Sequence, residues 1–136
     1  MTKIYYQKSD AIILVYDITN KESFNNLKDM YNEIKETIEV TQFLLFIVGN
    51  KNDLYENEIV AKEEVKLYAQ SINADYRCVS ALDSTGINEL FELVGKQLFL
   101  QFKNESQADI SNISEIKVAL TTNEHKKKEK NKASCC

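Results

Sequence analysis

The chain has 136 residues, enough for one domain with a core of its own and too few for two. Hydrophobic residues make up 43%, charged residues 28%, and 17 Lys and Arg against 21 Asp and Glu leave a net charge of -4, with no basic excess to bind nucleic acid. No apolar stretch approaches the roughly 20 residues that cross a bilayer, and the N-terminus lacks the basic flank and apolar run of a secretory signal, so the chain is expected in the cytoplasm.

In chain order, the first element is AIILVY, residues 11 to 16. This continuous apolar run, rich in β-branched side chains, predicts a strand covered on both faces and ending at Asp17. TNKE follows, and Thr19 three residues before Glu22 has the spacing of a capping box. Phe24, Leu27, Tyr31, Ile34 and Ile38 then recur at helical intervals and predict a crossover helix. A second apolar run, FLLFIV at residues 43 to 48, reads as another buried strand, and Val65, Tyr68, Ala69 and Ile72 share one helical face. A short third strand around Tyr76 to Val79 leads through the turn-like DSTG to a helix with the stripe Ile87, Leu90, Phe91, Val94 and Leu98. Strand and helix alternate three times. Right-handed crossovers then require an α/β fold: an open, mainly parallel sheet with helices on both faces. After Phe102 the stripe fades, and from Gln107 onward Ser, Asn, Thr, Glu and Lys dominate. Such a composition cannot offset its ordering entropy by burial, so 1–102 is expected to be the domain and 103–136 a flexible tail.

Ligands of open parallel sheets sit beyond the carboxyl ends of the strands. There the second strand runs into IVGNKNDL, residues 47 to 54, which offers Asn50, Lys51 and Asp53 within four residues. A carboxylate held rigidly at that place accepts two nearly parallel hydrogen bonds, and guanine presents a matching pair, the ring N1–H and the 2-amino group. Adenine presents an acceptor and no amino group on that edge, which would leave a charged oxygen unpaired. Asn50 can brace the loop and reach the base edge, and the Lys51 methylenes can cover one ring face. Alone, this string could be an ordinary polar loop. VSAL, residues 79 to 82, follows the next strand, where Ser80 can brace the loop and the Ala81 N–H can donate to a guanine O6. Cys78, in the apolar YRCVSA, reads as core.

These stretches together resemble the C-terminal two thirds of a Rab-type small GTPase. YYQKSDAIILVYDITNKESF is similar to the family's passage from the second switch into its fourth strand, GNKNDL to its guanine-specificity motif, VSAL to the motif that completes the base pocket, and the terminal SCC to the double-cysteine prenylation signal. The similarity covers residues 3 to 102 and the terminus, with two local departures: Asn52 at the variable position, and Leu82 where the family often has lysine. YYQKS and GINELF resemble the endosomal branch. The resemblance implies GTP or GDP with Mg2+ as ligands and a switch function in vesicle-mediated membrane traffic. It implies escort and prenylation proteins as partners, leaves effectors and exchange factors unassigned, and places the protein on the cytoplasmic face of intracellular membranes or in the cytosol.

The resemblance also implies parts that these residues do not supply. Complete members begin with a strand, a Gly-rich phosphate loop ending in Lys-Ser or Lys-Thr, a first switch with a magnesium-binding threonine, and a strand ending in Asp-x-x-Gly. The three glycines, Gly49, Gly86 and Gly95, cannot form G-x-x-x-x-G-K-[ST]. DSTG, Asp83 to Gly86, matches Asp-x-x-Gly by its letters but follows the base-pocket motif and is better explained as a turn. The water-orienting glutamine of relatives would lie upstream of Met1, so no catalytic residue and no metal ligand is assigned. A truncated domain is expected, with base affinity no better than roughly millimolar, about -4 kcal/mol, and no hydrolysis. Without the family's first strand beside it, AIILVY becomes an uncovered edge, which predicts poor solubility or dependence on a partner. A non-enzymatic prenylated fragment that engages escort or prenylation proteins without nucleotide cycling is the alternative. A generic flavodoxin-like domain is a third reading, against which SCC argues.

Of the remaining cysteines, Cys135 and Cys136 end the chain, which is no disulfide framework. Adjacent cysteines with His125 as the single histidine also make a poor zinc site. Lys126, Lys127, Lys128, Lys130 and Lys132 precede the pair. By themselves they would read as a solvated tail; with the cysteines they fit a lipid-plus-basic membrane anchor. Two prenyl chains hold firmly where one is marginal, and each nearby lysine adds roughly 1 kcal/mol on an anionic leaflet.

Overall fold

The two long apolar runs pair with each other. In the structure, a computed structural model, β1 (Ala11–Asp17) and β2 (Leu44–Asn50) run parallel, and β3 (Asp75–Cys78) joins the other edge of β2. The sheet order is β1-β2-β3, all parallel, as the α/β reading requires. The structure describes Tyr6 and residues 8–37 and 43–106. Two units divide the chain, Met1–Leu98 and Phe99–Cys136. The predicted Ile38 of the first helix, the lysine cluster, Cys135 and Cys136 lie outside the described residues.

With a strand on each edge and apolar side chains on each face, β2 is buried from Leu45 to Gly49. Leu45 and Ile47 point into one cluster with Ile12, Leu14 and Tyr16 of β1; Phe46 and Val48 point into the other, with Val79, Leu90 and Val94. Alternate side chains of a strand therefore fill two separate half-cores, the arrangement that makes a strand read as a continuous apolar run. β1 departs from the expectation of cover on both faces. Its burial alternates, and Val15 is 55% exposed. The Leu44 N–H donates to the Asp10 carbonyl at 2.9 Å and the Ile18 N–H to the Asn50 carbonyl at 3.2 Å. In a parallel ladder this register spends the backbone of Ile12, Leu14 and Tyr16 on β2 and turns the N–H and C=O of Ala11, Ile13 and Val15 to the other edge. Among the described residues, nothing pairs there.

α1 (Lys21–Thr37) buries Phe24, Leu27, Tyr31 and Ile34, the predicted stripe, against the first half-core. Its cap differs from the predicted one. The Ser23 N–H donates to Asn20 Oδ1 at 3.1 Å, so Asn20 caps the helix, because Thr19 is drawn away to Asp17. α2 (Lys62–Ser71) buries Val65 and Ala69 and lays Tyr68 and Ile72 against the same half-core. It closes with Asn73 left-handed at φ 55°, the Asn73 N–H on the Gln70 carbonyl at 3.2 Å and the Ala74 N–H on the Ala69 carbonyl at 2.8 Å. That pair of bonds is a Schellman ending.

β3 begins and ends one residue before the predicted strand. α3 covers 87–106. Within the first unit its Leu90 and Val94 are buried and Ile87, Leu93 and Leu98 pack against the second half-core, whereas the predicted Phe91 is exposed and Leu93 takes its place. The described part of the second unit, 99–106, is helical.

Candidate functional site

Parallel pairing brings three strand ends to one place. Asp17 lies opposite Asn50, and Tyr16, Gly49 and Cys78 stand in one row across β1, β2 and β3. The end of β2 and the loops that follow carry every residue singled out for base recognition. After β2 the chain turns sharply because Lys51 adopts the left-handed conformation, φ 66° and ψ 36°, before a short 3-10 helix at Asn52–Asn57. The Asn50 side chain stabilises that turn: Oδ1 accepts the Lys51 N–H at 2.8 Å.

Three bonds fasten this loop to the one after β3. The Asn52 N–H donates to the Val79 carbonyl at 3.0 Å, the Ala81 N–H donates to Asn50 Oδ1 at 3.0 Å, and the Ser80 hydroxyl donates to Asp53 Oδ1 at 2.5 Å. Ser80 is 1% exposed, the one buried polar residue of the described core, and its own N–H is held by the Thr85 carbonyl at 2.9 Å. Asp53 is thus aimed by a buried side chain whose own backbone is hydrogen-bonded in place. Among the described residues no hydrogen bond reaches its Oδ2, which leaves that oxygen for an outside donor. The structure therefore brings Asn50, Lys51, Asp53, Ser80 and Ala81 together. It also gives the Ala81 N–H an internal partner, so a guanine O6 would take this donor by replacing Asn50 Oδ1.

Lys51 was expected to offer its stem to a base, and the structure shows what holds that stem. Lys51 Nζ lies 2.6 Å from Asp17 Oδ2, while Asp17 Oδ1 accepts the Thr19 N–H at 2.9 Å and the Thr19 hydroxyl at 2.7 Å. Burial pushes the Asp17 carboxyl up, but the Lys51 ammonium and the two Thr19 donors outweigh it and hold the group below its ordinary value. The chain end of β1 carried this signal in one respect: a carboxylate terminates an apolar strand that must lie beside another. What it did not carry was the register that sets Asp17 against Asn50.

Beneath the loops, Tyr16 leans across Gly49. Its hydroxyl meets that of Tyr76 at 3.1 Å, and the Tyr76 hydroxyl meets Cys78 Sγ at 2.9 Å. A Cβ on Gly49 would stand 2.8 Å from Tyr16 Oη, so the glycine makes room for this crossing. Burial pushes the Tyr16 hydroxyl up to about 12 against the lowering effect of Tyr76, and burial with the Cys78 contact raises Tyr76 as well.

DSTG is a turn, as expected. The Thr85 N–H donates to Asp83 Oδ1 at 2.9 Å, and Ser84 and Gly86 are left-handed at φ 67° and 74°. The Thr85 amide, then its hydroxyl, hold the Asp83 carboxyl below its ordinary value. Two described cavities lie elsewhere. One of about 360 Å³ sits at the opposite ends of β2 and β3 among Phe43, Leu45, Ile72 and Asp75, and one of about 230 Å³ flanks β1 at Val15 and Met30.

The donor set fits a guanine base: a braced carboxylate, a backbone N–H and an amide within one loop pair. It offers no comparable fit to phosphates or Mg2+. Among the described residues no three His, Cys, Asp or Glu side chains gather to hold a cation, and no helix is long and apolar enough to cross a membrane.

The sequence pattern of the Ras family matches residues 1–100. The GTP-binding protein ypt1 of Schizosaccharomyces pombe is 35% identical over 124 residues, which cover 90% of this chain and 60% of that protein. The Ras-related protein RabJ of Dictyostelium discoideum is 37% identical over 105 residues, 77% of this chain and 41% of its own. The Ras-related protein Rab-21 of Bos taurus is 41% identical over 88 residues, 65% of this chain and 39% of its own. The chain thus spans less than two thirds of the length of these relatives.

Proposed function

Because this chain belongs to the Ras family, and is of Rab type within it, we propose that its strand-end loops are the guanine-binding part of a GTP- and GDP-dependent switch in vesicle-mediated membrane traffic. The observation that carries this is the Ser80–Asp53 bond together with the Asn50–Ala81 bridge, which hold a carboxylate and a backbone donor in one fixed arrangement. A rigid carboxylate discriminates by what it leaves unpaired: guanine satisfies it, adenine does not. Phosphate and Mg2+ contacts would come from a Gly-rich loop that these 136 residues do not contain, so alone they bind a base without hydrolysing a nucleotide. The tail 103–136 serves as a tether, prenylated at Cys135 and Cys136 and assisted by its lysines, to the cytoplasmic face of an intracellular membrane. Similarity to Rab-21 and the YYQKS and GINELF segments support an endosomal one. In this role the chain engages escort and prenylation proteins, and a fragment without nucleotide cycling would retain that engagement.

The test is a titration of the full chain with guanosine, adenosine and xanthosine by ligand-observed NMR. Guanosine is expected to bind at roughly millimolar concentration, about -4 kcal/mol, and adenosine not measurably. Asp53→Asn exchanges an acceptor for an amide that can also donate, and xanthine carries a carbonyl where guanine carries the 2-amino group. The variant should therefore shift preference from guanosine toward xanthosine. Equal binding of guanosine and adenosine, or an Asp53→Asn variant with unaltered preference, would sink the proposal.

A further inference from the structure

We infer that Asp17, which lies outside both base motifs, is a positioning residue of the guanine pocket: it fixes the Lys51 ammonium so that the lysine stem forms a wall for the base. This rests on the guanine-pocket reading above. Lys51 turns left-handed immediately after β2, and its Nζ ends 2.6 Å from a carboxylate on the neighbouring strand. Between those two fixed points the four methylenes must cross the carboxyl ends of β2 and β1, the place where a ligand of a parallel sheet sits. A lysine stem free in water samples many rotamers, and each must be given up when a base stacks on it. A stem already tied at its far end has lost most of that freedom beforehand, so the base binds a preformed surface.

Asp17 is built for the task. Its side chain is 20% exposed against 52% for that of Lys51, so the anchored partner is the carboxylate and the adjustable one is the lysine. Its Oδ1 is held by the Thr19 amide and hydroxyl, which orients Oδ2 toward Lys51. Its own N–H donates to the Ser23 hydroxyl at 2.9 Å, which ties the strand end to the start of α1. The opposing side of the site is equally fixed, through Ser80 and Asp53. Both partners of the base, Asp53 at its edge and Lys51 at its face, thus follow β2, the first braced by Ser80 after β3 and the second by Asp17 at the end of β1.

The experiment measures guanosine affinity of the full chain by the same NMR titration, using Asp17→Asn, Lys51→Met and the double variant. Asp17→Asn keeps an Oδ1 acceptor for Thr19 and removes the charge that holds Lys51; Lys51→Met keeps an apolar stem and removes the ammonium. Each single variant should weaken guanosine binding roughly three- to fivefold, the scale of a half-exposed ion pair. The double variant should be no weaker than either single one, because both remove the same tie. The ratio of guanosine to inosine affinity, set by the 2-amino contact with Asp53, should stay at the parent value in all three. Asp17→Asn binding like the parent, or effects of the two substitutions that multiply, would overturn the inference while the pocket stands. A parent chain that shows no preference for guanosine over adenosine would remove the pocket and Asp17's role with it. A merely structural Asp17 would reveal itself by loss of amide dispersion in Asp17→Asn without a matching change in Lys51→Met.

Discussion

Replacing Gly49 by alanine sets two effects against each other at the root of the candidate base site. Gly49 lies within a strand and is not among the positive-φ residues. Alanine is therefore allowed by the backbone and would recover about 0.5–1 kcal/mol of the chain entropy a glycine loses on folding. Against this, the new Cβ would stand 2.8 Å from Tyr16 Oη and 3.0 Å from Ile18 Cγ2. Neither neighbour can retreat: Ile18 is fully buried, and Tyr16, 2% exposed, would have to surrender its 3.1 Å contact with Tyr76. Adding a methyl group to a packed site destabilises by about 1–3 kcal/mol, and with both neighbours held the upper part of that range, about 2–3 kcal/mol, applies, so the steric effect wins and a net loss of about 1–2.5 kcal/mol follows. Urea unfolding followed by circular dichroism measures it. Tyr16→Phe removes the oxygen nearest the new Cβ and by itself loses about 1 kcal/mol with the hydrogen bond. Since Tyr16 Cζ would remain 3.1 Å away, relief is partial, and the double variant should be more stable than the sum of the single losses by about 0.5–1 kcal/mol. An alanine variant as stable as the parent, or strictly additive losses, would refute the crowding account.

Four further outcomes are expected. Ser80→Ala leaves Asp53 unbraced and should weaken guanosine binding roughly fivefold, about 1 kcal/mol, in the NMR titration; unchanged affinity would show that Asp53 needs no support. Gly86→Ala forces a side chain into φ +74° with its Cβ 2.9 Å from the backbone oxygen of Cys78, and a loss of about 2–4 kcal/mol in chemical denaturation follows. Because the folded Asp17 carboxyl lies below its unfolded value of about 3.9, its contribution to stability is complete above about pH 5 and drains away as pH falls through the unfolded and then the folded value. Asp17→Asn should therefore flatten the stability–pH curve in that acid range, and a parent-like curve would contradict the assignment. Val15→Lys places a charge on the outward edge of β1 and should reduce light scattering of concentrated chain while leaving the unfolding midpoint unchanged; unaltered scattering would clear that edge of a role in association.

Much of this architecture could be read before any coordinates. AIILVY and FLLFIV announced strands through length and β-branching, and Phe24, Leu27, Tyr31 and Ile34 kept their helical face because burial selects one side of a 3.6-residue period. The readings that failed were local contests between equivalent partners. Thr19 and Asn20 are both good caps, and the decision fell to Asp17, which captured Thr19 through two hydrogen bonds and left Asn20 to the helix. Phe91 and Leu93 are both apolar on α3, and it is Leu93, partly buried, that packs against the half-core. Val15 looked identical to its neighbours in an apolar run, yet its exposure depends on what lies beside β1, which periodicity cannot express. The candidate base-site residues were readable as two motifs, but the ion pair from Lys51 to Asp17 depends on β1–β2 register, a property of the pairing rather than of either segment.

That same pairing bears on what a base could gain here. Before any ligand arrives, Asn50 Oδ1 already receives the Ala81 N–H and the Ser80 hydroxyl already rests on Asp53. A guanine O6 that takes the Ala81 donor replaces one hydrogen bond with another, an exchange worth much less than the roughly 1 kcal/mol of a newly formed one. The new bonds are those to the open side of Asp53, and they exchange for bonds to water. Affinity for the base alone is then small for a physical reason, whereas selectivity is not: an adenine in the same place would desolvate a carboxylate without pairing it, a penalty of at least about 1–3 kcal/mol and more for a charged group. A chain with these loops would be a discriminator more than a binder. The full strength of nucleotide binding would have to come from contacts to the phosphates, and guanosine should show a clear preference over adenosine even where its own dissociation constant is millimolar.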